Sequence, residues 1–214
     1  MTADDQSTVE VAETTWWAGV SGALAEAFHD DPVFSWLLPD PATRSRALRR
    51  FFEIEARDVV LGHRHSVAVP VSRPAGEPPT RCVGAALVLP PDRWRTPFGV
   101  LARRGYPFAR IFGARLPRAF GLLSAMEHHH PRERHHYLPY IGVAPSAQGR
   151  GLGTAMLEPV LRRCDRERLP AYLEATSPDN ARLYRRLGFV TTDVVRPLGS
   201  PPIELMTRRP AEVR

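Results

Sequence analysis

Between Tyr137 and Leu157 the chain reads YLPYIGVAPSAQGRGLGTAML, and few folds accommodate such a run. An apolar strand ends at Val143. A short loop with Pro145 and Ser146 leads into Gln148-Gly149-Arg150-Gly151-Leu152-Gly153, where a helix begins. Three glycines in five positions let the backbone approach a ligand and turn its N–H groups inward. The helix start behind them adds unpaired donors and partial positive charge. The combination suits a diphosphate, to which Arg150 can add a full charge. A plain strand-to-helix connection without a ligand is the other reading of this segment. A Walker loop is excluded, because it needs Gly-Lys-Ser/Thr and the 29 basic residues here are all arginine. A dinucleotide fingerprint needs Gly-x-Gly-x-x-Gly, whereas Gly149, Gly151 and Gly153 alternate.

The pattern around this run is strand and helix in alternation. His136 to Val143 reads as a strand, Gly151 to Arg168 as a helix, Ala171 to Ala175 as a strand, and Pro178 to Leu187 as a helix stopped by Gly188. Phe189 to Val195 and Ile203 to Thr207 read as the last strands. Strand–helix–strand spacing implies parallel pairing through a right-handed crossover. Upstream, Ser7 to Glu13 alternates like a strand, and Thr14 to His29 and Pro41 to Leu61 carry helical apolar spacing. DDPVFSWLLPDP between them reads as a turn punctuated by Pro32, Pro39 and Pro41. His65 to Val71 and Arg81 to Leu89 read as strands joined by the hairpin loop SRPAGEPPT. Residues 90–130 read as short helices separated by loops, because Pro97, Pro107 and Pro117 interrupt the spacing. No repeat appears. The expected architecture is a single α/β domain over 1–214.

Composition narrows the function classes. A hydrophobic fraction of 43% fits a globular protein, no apolar run approaches a membrane span, and the polar start MTADDQSTVE does not read as a signal peptide. A cytoplasmic location without membrane association is expected. Cys82 and Cys164 sit among apolar residues and read as small buried hydrophobes. The net charge of +6 favours anionic partners, yet the arginines are scattered and no nucleic-acid motif accompanies them. No nucleic-acid partner is expected.

The second informative segment, AYLEATSPDNARLYRRLGF (Ala171 to Phe189), bears on the first. Ser177 can cap a helix and Pro178 fits its first position. Asn180 and Tyr184, four apart, share one helix face, which a strand parallel to the first would aim at the glycine loop. Tyr184 also reads as plain core packing.

Taken together these residues resemble the GNAT superfamily of acyl-CoA-dependent N-acetyltransferases. The resemblance rests on Gln148, Gly151 and Gly153 for the family's Gln/Arg-x-x-Gly-x-Gly/Ala motif, and on Asn180, Tyr184, Gly188 and Phe189 for its second motif. It covers roughly 127–209. In wording it is similar to the puromycin N-acetyltransferase branch and its actinobacterial relatives, through Met126-Glu127, the Gly142-Val143-x-Pro145 exit, Leu173-Glu174 and Met206-Thr207-Arg208. The resemblance implies a mixed, twisted sheet of six to seven strands, flanked by helices, whose central parallel strands splay apart. It implies acetyl-CoA as cosubstrate and no metal. The core over 137–189 would bind it, with the pantetheine arm on the backbone of Ile141 and Val143. The diphosphate would lie on the N–H groups of Gln148, Gly149, Arg150, Gly151, Leu152, Gly153 and Thr154, with Asn180 near the arm. An amine would attack the thioester directly, Tyr184 would protonate the leaving thiolate, and Glu174 is the candidate base; Glu174 facing solvent or an arginine, and a solvent relay needing no single residue, are the competing readings. Asp30, Asp31, Phe34, Trp36 and Tyr140 are candidates to receive a small-molecule amine near the 90–130 insert, with Trp94 and Tyr106 behind them. Asp30 and Asp31 also read as turn caps. A non-catalytic acyl-CoA binder and a protein N-acetyltransferase are the alternatives, and the chain is expected as monomer or homodimer.

The tract EHHHPRERHHY, Glu127 to Tyr137, holds five of the eight histidines. Consecutive side chains diverge by about 100° on a helix and about 180° on a strand, which opposes a metal site. His128 to His130 read as a helix end facing its last carbonyls. By alternation, at most one of His135 and His136 faces the core, and one histidine, with His136 nearest the strand, is a candidate to reach the acceptor amine.

Overall fold

The computed structural model describes residues 12–13, 16–63, 65–70 and 81–211. Among the described residues, seven strands and seven α-helices run in the order β1 (Ala12–Glu13), α1 (Trp17–Ala27), α2 (Pro32–Leu37), α3 (Pro41–Gly62), β2 (Val67–Pro70), β3 (Cys82–Leu89), α4 (Phe98–Phe112), α5 (Leu116–His129), β4 (His136–Val143), α6 (Leu152–Glu167), β5 (Ala171–Ala175), α7 (Pro178–Arg186), β6 (Val190–Val195) and β7 (Ile203–Arg208). The sheet order is β1-β2-β3-β4-β5-β7-β6, antiparallel except for β4 and β5. This is the mixed sheet expected from sequence. Two buried clusters flank it. One lies beneath α1 to α5 and is rich in phenylalanine; the other lies beneath α6 and α7. Among the described residues no helix is long and apolar enough to cross a membrane.

The β4–β5 pair holds for two rungs only, His136 with Ala171 and Tyr137 with Tyr172. Beyond them β5 stays on β7 and β4 stays on β3, so a wedge opens between the parallel strands. The register of β4 decides what faces that wedge. Ala144 donates its N–H to the Val83 carbonyl, which makes Gly84 and Val143 a non-hydrogen-bonded pair. The polar backbone groups of Val143, and by alternation of Ile141, therefore point away from β3 into the wedge.

A bulge interrupts β4. Leu87 pairs with Tyr140 and Leu89 with Tyr137, so three steps on β4 match two on β3 around Pro139. Proline is tolerated in a sheet at such a point because no ladder donor is needed there. The extra residue puts Tyr137 and Tyr140 on the same face, toward the phenylalanine-rich cluster, while Leu138 and Ile141 face the other.

Three expectations are corrected. The stretch from Pro32 is a short helix, not a turn; Asp31 caps it by accepting from the N–H groups of Val33 and Phe34 at 2.9 and 3.0 Å. Residues 98–129 form two substantial helices. Pro97 sits at the cap of α4 and Pro117 in the first turn of α5, where no intrahelical donor is lost; only Pro107 lies inside a helix. Both His135 and His136 are buried, because the central strand β4 is covered on both faces. The strand expected from Ser7 is described only at Ala12–Glu13, and the loop 72–80 lies outside the described residues. Cys82 and Cys164 are buried free thiols, as expected, and burial raises both, Cys82 to about 11 and Cys164 to about 12.

Candidate active site

The glycine loop has the conformation its composition implied. Gly149 and Gly151 have φ of 78° and 74°, in the left-handed region, and Gly151 is the N-cap of α6. No heavy atom lies within 4 Å of where a Cβ on either would stand, so the space over the loop is open. Gly153 serves a different end: its Cβ would lie 3.0 Å from Leu183, so its smallness lets α6 and α7 approach. The Gln148 side chain donates to the Val143 carbonyl at 3.0 Å, tying the loop to the end of β4. Arg150 is exposed, Leu152 is buried in the second cluster, and Thr154 is half-buried on the first turn. Helix start, open glycines and the adjoining wedge fit a ligand with a diphosphate and an extended arm.

A cavity of about 500 Å³ adjoins the wedge, walled by residues of β4 and β5 past their split and by α1 to α5 and α7. Its apolar wall is aromatic. Tyr140 stands edge-on to Phe28, Phe51 and Phe52, with ring centroids at 6.0, 5.8 and 5.2 Å. Asp31, Thr176, Asn180 and Tyr184 meet on one side of it. Thr176 donates its hydroxyl to Asp31, whose other carboxylate oxygen caps α2. Burial raises the Asp31 carboxyl despite these bonds. Burial, and then the charge of Asp31, push the Tyr184 phenol above its ordinary value, so it holds its proton.

Glu174 lies across the same cavity, with its side chain 9% exposed. Tyr137 donates to Glu174 Oε2 at 2.9 Å. Burial outweighs that bond and the opposing pull of the Tyr172 hydroxyl, and raises the carboxyl to about 7. Glu174 is thus near half-ionised at neutral pH, which suits proton acceptance. Behind it stands His130, with Nδ1 3.9 Å from Glu174 Oε1, stacked on Trp94 at 3.8 Å between ring centroids. The histidine nearest the candidate base is therefore His130 and not His136. His136 lies on the other face, with Nε2 2.8 Å from Glu167. His128 and His129 are exposed.

Of the residues expected to receive an amine, Asp31, Phe34, Tyr140 and Trp94 line the cavity. Asp30 is 87% exposed at its side chain and faces His29 and Arg44. Trp36 lies outside the cavity wall, against Arg118, and Tyr106 is exposed. Sequence reasoning missed a charged group in the wall. Arg104 of α4 bonds Glu55 at 2.6 Å and Asp58 at 2.7 and 2.9 Å, both on α3. A signal existed: Phe51, Phe52, Glu55 and Val59 share one helical stripe, so Glu55 is a carboxylate on a buried face. His130 and Tyr137 were also missed, since only the fold brings them to Glu174.

The comparisons agree with this geometry. The model of the Acetyltransferase (GNAT) family matches residues 25–189. An uncharacterised N-acetyltransferase of Schizosaccharomyces pombe is 38% identical over 77 residues, 35% of this chain; the match spans 31% of that protein's length. Among solved structures, histone acetyltransferase HPA2 and related acetyltransferase from Corynebacterium glutamicum has a TM-score of 0.69 at 29% identity, covering 95% of this chain and 97% of its own. Arylalkylamine N-acetyltransferase 2 from Aedes aegypti shares the fold, with a TM-score of 0.62 at 13% identity over 94% and 99% of the two chains. With a matching family model over most of its length, the chain belongs to the GNAT family of acetyltransferases.

Proposed function

We propose that this protein transfers the acetyl group of acetyl-CoA, the donor its family uses, to a primary amine of a small molecule by direct attack in a ternary complex. The observation that carries the reading is one cavity, beside the wedge, whose wall holds both a carboxyl that takes protons near neutrality and a phenol that keeps its own. The backbone of Ile141 and Val143 receives the extended arm. The N–H groups from Gln148 to Thr154 receive the diphosphate, with Arg150 at the rim and Asn180 beside the arm. Acetyl-CoA supplies an activated carbonyl, which the Val143 N–H polarises. Glu174 takes the proton of the attacking amine, and Tyr184 gives its proton to the departing thiolate. No covalent enzyme intermediate is needed, because the two substrates are held side by side.

The aromatic wall of a cavity of about 500 Å³ supports a small amine, as does the likeness of the loop's sequence to puromycin-modifying enzymes. Carboxylates among aromatics suit a cationic head on an apolar body. The test is free thiol release from acetyl-CoA across a panel of small amines. Tight acetyl-CoA binding without product from any amine would leave a non-catalytic binder. The Corynebacterium glutamicum relative is named as a histone acetyltransferase, which makes a protein amine the second reading; lysine-bearing and free N-terminal peptides in the same panel, turned over faster than every small amine, would favour it.

A further inference from the structure

The groups behind Glu174 carry an inference that rests on its proposed role as proton acceptor. The rings of His130 and His135 meet Nε2 to Nε2 at 2.9 Å. At that distance one nitrogen donates and the other accepts. His135 Nδ1 lies 2.6 Å from the Glu133 carbonyl oxygen. A carbonyl only accepts, so His135 Nδ1 carries the hydrogen. Burial disfavours the charged form of both rings, and holds His130 down to about 3 with help from His135 and Arg95. In a neutral His135 the Nε2 is then a lone pair, His130 Nε2 is the donor, and His130 Nδ1 is left bare. That bare nitrogen is the one facing Glu174 Oε1. Oε1 is buried without a hydrogen bond of normal geometry, with the otherwise unpartnered Tyr172 hydroxyl beside the carboxyl, whereas Oε2 accepts from Tyr137. The His130 ring cannot easily turn away, held by Trp94 on its face and by Tyr137 and Tyr172 at 4.7 Å each.

We propose that His130 and His135 form a tautomer lock: together they present a lone pair, and not an N–H, to Glu174, so that His130 can partner Oε1 only when Oε1 carries the proton taken from the amine. The step balances simply. The N–H bond of the attacking nitrogen breaks, an O–H bond forms on the carboxyl at Oε1, and that O–H points at His130 Nδ1, 3.9 Å away before protonation, so the contact must shorten to become a hydrogen bond. No other proton moves and nothing is oxidised. His130 is a positioning residue, since it lines the neighbouring cavity and does not touch the reacting atoms. The titratable and charged groups facing this unit are Tyr137 and Tyr140 from β4, Tyr172 from β5, Arg95 ahead of α4, and, beside His135, Glu133, Asp92 and His136. None of them gives His130 Nδ1 a second partner. Without His135, the His130 ring can carry its hydrogen on Nδ1 and donate to the carboxylate, which favours the ionised form of Glu174.

The test uses the full chain and needs no turnover. Imidazole ¹⁵N shifts are expected to show His130 protonated at Nε2 and His135 at Nδ1 across neutral pH. A ¹³C titration of the Glu174 carboxyl, assigned by its loss in Glu174→Gln, is expected to shift to lower pH by about one unit in His135→Phe. A hydrogen on His130 Nδ1 in the unaltered chain overturns the proposal, as does a midpoint in His135→Phe that is unchanged or raised. Should that variant not fold, the ¹⁵N shifts of the unaltered chain decide alone. An amine panel without product would overturn the acetyltransfer reading while these shifts still show whether the lock exists.

Discussion

Each of the two groups assigned to proton transfer has its own signature. Tyr184 sits beneath Asn180 on one helix face, a relation readable from spacing alone, and its ring also packs on Phe189 at 5.9 Å. Tyr184→Phe keeps that packing and removes the acid, so turnover is expected to fall about 10²- to 10⁴-fold with acetyl-CoA affinity nearly unchanged, as checked by single-turnover kinetics and calorimetry. Equal loss of both would mark the ring as structural. Glu174 ties activity to stability through the sign of its shift. Its folded carboxyl is raised from 4.5 to about 7, so the native state binds the proton more tightly than the unfolded chain. Native stability from this group is full below about 4.5 and is lost as pH rises toward 7. Glu174→Gln, which has no charge to bury, is therefore expected to match the parent at pH 4.5 and exceed it by on the order of 2 kcal/mol at pH 8 in urea melts, while abolishing turnover. A variant less stable than the parent at pH 8 would show that the amide disrupts the site instead. The residues around Glu174 were not legible in the sequence. Strict alternation puts Tyr137 and Tyr140 on opposite faces, and only the bulge at Pro139 unites them.

At the level of elements, the glycine loop and the α3–α4 contact make different demands. A side chain at Gly151 meets no neighbour but must hold φ of 74° at the cap of α6. Gly151→Val is expected to lose acetyl-CoA binding by more than about tenfold while costing only about 1–2 kcal/mol of stability, as checked by calorimetry and thermal melting. Arg104→Met acts oppositely. It strands Glu55 on a buried helix face and leaves Asp58 only its pair with the exposed Arg103, and is expected to cost about 3 kcal/mol in denaturant melts, beyond any effect on acetyl-CoA affinity. The elements themselves were largely legible, because period and punctuation agree from β4 onward: Ser177 and Pro178 start α7 as their types require. The misread stretch, 90–130, shows why agreement matters. A proline reads as a helix breaker, yet Pro97 and Pro117 stand where a helix begins, and only the unpaired-donor count distinguishes a breaker from a starter. The helix from Pro32 was concealed likewise, since Asp31 and Pro32 resemble a turn until the Asp31 side chain is seen on two N–H groups.

Across the whole molecule, the phenylalanine-rich layer under α1 to α5 is built to receive and the layer under α6 and α7 to hold, with the sheet between them. The wedge in that sheet has a mechanical meaning. Two rungs join a half made of β1 to β4 with a half made of β5, β7 and β6. On the proposed function, the donor's arm would supply the remaining crossbars, so that the donor would act as a removable eighth strand and its loading would complete the fold. Acetyl-CoA at about a hundred times its Kd is accordingly expected to add about 2.7 kcal/mol to stability, seen as a rise in Tm. Amide hydrogen exchange should slow most at Ile141 and Val143, where the borrowed strand closes the seam. A rise in Tm without that local protection would place the ligand elsewhere.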